Sequence, residues 1–137
     1  MTGPLKVVGG WFAAVVIWLV GVAVVANLAT GAQDGRTLSA FDRLTRLDLP
    51  WVVISLLMVI ATGIVYRDMT RTGRWLAVIL PVPVLATVLS AVGAAAVGGM
   101  SAVAVILYVV EGAAGAGLGL LGARLIGSRA EQQGGYL

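Results

Sequence analysis

Four apolar stretches, residues 7–29, 49–66, 75–97 and 102–126, alternate with polar connections along the chain. Each comes close to or passes the roughly 18 apolar residues that a bilayer-crossing helix needs. The pattern predicts an all-α, polytopic integral membrane protein. Its single domain holds four transmembrane helices in an antiparallel bundle, with a polar tail over 127–137. The first stretch has no charged residue and is longer than the apolar segment of a secretory signal, so it reads as a span. Its Gly10, Ala14 and Gly21 fall on one helical face, where small side chains let another backbone come close. Asn27, near its end, reads as a polar residue at the membrane interface.

The first connection, residues 30–48, opens with the turn formers Gly31, Asp34 and Gly35. Ser39 followed by Asp42 resembles a helix-start signal. Leu38, Phe41, Leu44 and Leu47 recur at intervals of three among Asp42, Arg43, Arg46 and Asp48. This predicts a short amphipathic helix in the outer loop, lying on the membrane surface or over the bundle, or serving as a docking surface. Asp48 is placed to cap the second span, and Pro50 is tolerated in its first turn. Ser55 and Thr62 can bond backbone carbonyls one turn back. Arg67, Arg71 and Arg74, flanked by Tyr66 and Trp75, predict a basic collar at lipid-headgroup level. In the third span Pro81 and Pro83 cannot donate helical hydrogen bonds, so a kink is expected there, as a structural bend or as part of an ion site.

The fourth stretch carries the densest signal. Gly112, Gly115, Gly119 and Gly122 lie within roughly 80° of one another on a helical wheel, and Tyr108, Ala104 and Ser101 extend the stripe. Gly117 falls off it. A stripe of this kind marks close helix packing. The expected neighbour is the first or third span of this chain, or the same helix of a second copy. Glu111 stands at the stripe's edge, roughly 15 Å into the span and near the membrane midplane. An acid at such a level is costly unless it is neutral and hydrogen-bonded, or meets a cation, a water-filled path or a partner's basic group. Thr87 and Ser90 of the third span, with Tyr108, are the candidate intrachain partners.

Composition agrees with a lipid environment: 60% of the 137 residues are hydrophobic and 11% charged. With no Cys and no His, thiolate, disulfide and imidazole chemistry are excluded. No cofactor, metal or catalytic set is expected, and Asp34, Asp42 and Asp48 form no metal-ligand spacing. The net charge of +3 suits lipid headgroups rather than nucleic acid. Placing both termini in the cytoplasm puts six basic residues inside and three outside, as the positive-inside rule favours. The Ala-, Val-, Gly- and Arg-rich usage suggests a bacterial cytoplasmic membrane. Two functions follow as expectations. The first is a small accessory subunit that packs through small-residue helix faces within a larger membrane assembly or binds a membrane partner, without enzymatic activity. The second is a small oligomeric proton- or cation-coupled transporter or channel using Glu111. The expected partners are the lipid bilayer and other membrane subunits or, for the second function, further copies of this chain in a homo-oligomer.

Overall fold

A computed structural model describes residues 3–30, 39–66, 71–96 and 101–133. Among these residues all regular structure is helical: α1 (Gly3–Thr30), α2 (Ala40–Arg43), a π-helical segment (Leu44–Asp48), α3 (Leu49–Val65), α4 (Thr72–Ile79), α5 (Pro81–Ala96) and α6 (Ala102–Gln133). Four stretches are long and apolar enough to cross a membrane: Gly3–Leu28, Phe41–Val65, Thr72–Gly93 and Ala102–Gly127. α1 begins earlier than the apolar pattern suggests because Pro4 sits in its first turn, where a missing N–H costs nothing. α6 runs to Gln133, beyond the expected end at 126. Its extension contains Ala130, Glu131, Gln132 and Gln133, good helix formers with no proline among them.

The expected amphipathic helix is not a separate element. Ser39 starts it: its Oγ accepts from the Asp42 N–H at 3.1 Å and donates to Asp42 Oδ2 at 2.6 Å. The helix then continues through Leu44–Asp48 into α3 without a break. Asp48 keeps helical angles, φ −72° and ψ −51°, and its side chain makes no capping bond. Instead its carboxylate lies 3.7 Å from Arg43 Nε. Thr45 bonds back to the carbonyls of Phe41 and Asp42, a local arrangement that accommodates the π-helical widening. Leu38, Gly31, Asp34, Gly35 and Arg36 lie outside the described residues.

The prolines divide the third span as expected. α4 ends at Ile79, Leu80 forms a bend, and α5 starts on Pro81. Trp11 Nε1 of α1 donates to the Val78 carbonyl at 2.7 Å, bracing the chain at the level where proline removes helical donors.

The helix at the centre is α3, whereas the glycine pattern had pointed to α6. α3 makes the most extensive contacts, with α6 on one side and α1 on the other. In its span 39% of residues are buried, against 17% in α1 and in α6. Two hydrophobic clusters lie along it. One joins Trp51, Ile54 and Met58 to Ala14 of α1 and Ala86 of α5. The other joins Val59 and Tyr66 to Trp75, Ile79 and Ala123. Tyr66 and Trp75 are therefore core residues and not exposed aromatic anchors. The Arg124 guanidinium lies 5.5 Å from the centre of the Trp75 ring, within cation–π range. Arg71 and Arg74 are exposed, and Arg67 lies outside the described residues.

Candidate functional site

The glycine stripe of α6 faces α3. A Cβ at Gly115 would meet the Val52 carbonyl oxygen and Ser55 Cβ; one at Gly119 would lie 2.8 Å from the Leu56 carbonyl oxygen and from Val59 Cβ. Gly122 faces Ile60, and Gly112 faces Thr87 and Trp51. Gly117, off the stripe, has nothing within 4 Å. The neighbour is thus the second span, which the sequence pattern did not single out. The small face of α1 meets the same helix: Gly10 lies against Thr62, and a Cβ at Gly21 would sit 2.6 Å from Ile54 side-chain atoms. Large side chains of α3 fill the grooves left by small residues on both neighbours, as close helix approach requires.

The numbering of these contacts rises together along α3 and α6, so the two helices run parallel. Gly112 opposite Trp51 places Glu111 near the level of the first turn of α3. Because the helix continues back through Asp48 and Arg43, these two charges lie within electrostatic reach of the half-buried Glu111. Sequence reasoning put them in a separate outer-loop element, away from Glu111. The uninterrupted helix overturns that expectation.

Thr87, Ser90 and Tyr108 are brought close to Glu111 in sequence or space, but their hydroxyls bond elsewhere. Thr87 Oγ1 donates to the Pro83 carbonyl at 2.8 Å. Trp18 Nε1 donates to Ser90 Oγ at 3.0 Å, and the Tyr108 hydroxyl stands beside Ser90. Tyr108 stacks on Trp51, ring centres 4.5 Å apart and planes 19° from parallel. The result is a polar thread, Trp18–Ser90–Tyr108, joining α1, α5 and α6, backed by Trp51 of α3. Sequence analysis identified Ser90 and Tyr108 and missed both tryptophans, whose role depends on the relative register of three helices.

This thread borders a cleft of about 340 Å³ lined by Trp18, Val22, Val25, Ala26, Trp51, Ser90, Gly93 and Tyr108. A smaller cleft of about 140 Å³ lies on the other side of α5, between Pro83, Thr87 and Gly112, Ala113, Ala116. Two buried donors beside the stripe, Trp51 Nε1 and Ser55 Oγ, have no hydrogen-bond partner. The Ser55 finding departs from the expected bond to a carbonyl one turn back, which Thr62 does make, to Met58 O at 2.9 Å. Among the described residues no three acidic, His or Cys side chains gather as a metal site. What the arrangement offers is recognition: an apolar cleft with hydroxyl and indole groups on one wall, and a carboxylate nearby.

Comparison with protein-family models, with curated proteins and with solved structures finds no match for this chain.

Proposed function

We propose that the protein is a small, non-enzymatic accessory subunit of a larger membrane assembly, inserted as a four-span bundle in a bacterial cytoplasmic membrane with both termini inside. The observation that carries this reading is the one-sided packing of α1 and α6. Each turns a small-residue face to α3, and only 17% of its span residues are buried. Long apolar faces therefore remain for lipid and for partner helices. The glycine stripe itself is occupied by α3, so a partner would meet other surfaces. Glu111 is the natural polar contact, because an intramembrane acid is strongly stabilised by a partner's basic or hydroxyl group.

The test is a mild-detergent pull-down of tagged wild type beside Glu111→Gln. A stoichiometric copurifying protein, weakened in the variant, supports the subunit reading and assigns Glu111 to the interface. A clean homo-oligomer that survives Glu111→Gln contradicts it. That second outcome would favour the transport reading, which draws support from the cleft beside α5 and the break at Leu80. Proton-linked flux in vesicles, lost in Glu111→Gln, would then be the decisive observation.

A further inference from the structure

The cleft bordered by Trp18, Ser90 and Tyr108 carries a more specific chemical message, and it does not depend on any protein partner. Its α1 wall is formed by Trp18, Val22 and Val25, and across from it stand the stacked rings of Trp51 and Tyr108. None of its lining residues is charged. Its volume of about 340 Å³ falls at the small end of ligand pockets. An uncharged lining rich in aromatic rings suits a flat, neutral ring lying between α1 and the Trp51–Tyr108 stack.

The hydrogen-bond inventory adds direction. The thread contains three donor protons: the Trp18 N–H, the Ser90 O–H and the Tyr108 O–H. The Trp18 proton goes to Ser90 Oγ. The Tyr108 hydroxyl stands beside Ser90, and a bond between the two can use only one of their two protons, whichever hydroxyl donates it. One hydroxyl proton is left over at the cleft wall under either arrangement. A surplus donor beside an uncharged apolar space calls for a neutral acceptor on the ligand. A cation would meet the positive end of that O–H dipole, and an anion would find no basic residue.

We infer that this cleft binds a flat, membrane-soluble carbonyl compound of the quinone class, its ring between α1 and the Trp51–Tyr108 stack and its carbonyl accepting from the Ser90–Tyr108 pair. Gly93 lines the cleft and a Cβ there meets nothing within 4 Å, so a phenylalanine at this position competes for the cleft without a forced clash at its first carbon.

The experiment is equilibrium dialysis of the protein in lipid nanodiscs against menadione, with 2-methylnaphthalene as the same ring without carbonyls and empty nanodiscs as the background. The chain has no Cys, so thiol addition to the quinone does not intervene. The expected result is one saturable menadione site per chain, with 2-methylnaphthalene about fivefold weaker, the worth of one neutral hydrogen bond. Gly93→Phe should abolish the saturable component while leaving the circular dichroism spectrum unchanged. The triple variant Trp18→Phe, Ser90→Ala, Tyr108→Phe keeps three rings and removes all three donors. It should bring menadione down to the affinity of 2-methylnaphthalene. Equal affinity of the two compounds for wild type, saturable binding that survives Gly93→Phe, or no saturable binding at all would each overturn the inference.

Discussion

α3 and α5 meet their neighbours in opposite ways. Between α3 and α6 there is no room for a methyl group at Gly115 or Gly119, where backbone carbonyls of α3 stand at the surface of the facing helix. On either side of α5, by contrast, clefts of about 340 and 140 Å³ remain. The difference lies in what faces what. Small residues on α1 and α6 let the large side chains of α3 seat fully. Beside α5, Trp18 of α1, Trp51 of α3 and Tyr108 of α6 border the larger cleft together with Ser90 and Gly93 of α5. The Trp18–Ser90 bond ties α1 to α5 across it. Within a membrane, where apolar surface gains little from leaving lipid, contact of the first kind is a main source of helix association. The second kind leaves space for a ligand.

Substitutions can break this comparison. The largest effect is expected at Gly115→Leu, because the added side chain strikes the Val52 carbonyl and its helix, which no rotamer change can move aside. The loss should exceed about 3 kcal/mol, read as collapse of the folded fraction in reversible SDS titration of mixed micelles. Full stability in that variant would mean that α6 does not pack on α3 through this face. Gly119→Ala should lose about 2 kcal/mol, since the Leu56 carbonyl and Val59 Cβ both lie 2.8 Å from the new carbon. Gly21→Ala should lose less, about 1 kcal/mol, because the obstacle is the Ile54 side chain, which can turn. Gly117→Ala sharpens the contrast from the other side. With open space around it and a better helix former in place, a gain of about 0.5 kcal/mol is expected. If all four glycines responded alike, the effect would be one of backbone propensity and not of close approach.

Much of the helical frame is legible in the sequence. The four apolar spans, the division at Pro81 and the start at Ser39 follow from hydropathy, from the missing proline donor and from local hydrogen bonding, all properties of single segments. Gly112, Gly115, Gly119 and Gly122 announce a close neighbour through their spacing alone. The identity of that neighbour is not legible, because it depends on which helix carries complementary bulk at the same heights. Val52, Ser55, Leu56 and Val59 look like any apolar stretch until they are placed opposite the stripe. Asp48 misleads for a related reason. An acid just before a proline reads as a cap, yet the helix passes through it and carries Arg43 and Asp48 toward Glu111. Trp18 and Trp51 were invisible as a pair, since 33 residues separate them and only the packing of α1, α3, α5 and α6 brings them to one cleft.

The central claim is that the α6 stripe is filled by α3 of the same chain. Its most direct test uses the absence of cysteine in the natural sequence. A Cβ at position 122 lies 3.5 Å from Ile60 Cγ1, the place that a cysteine sulfur at position 60 would take. Oxidation of the Ile60→Cys, Gly122→Cys double variant in membranes should give an internal disulfide, which forms only at such close range. On non-reducing gels the product should run as a single chain with altered mobility. A disulfide-linked dimer, or two thiols that stay free and reactive under the same oxidation, would contradict the account.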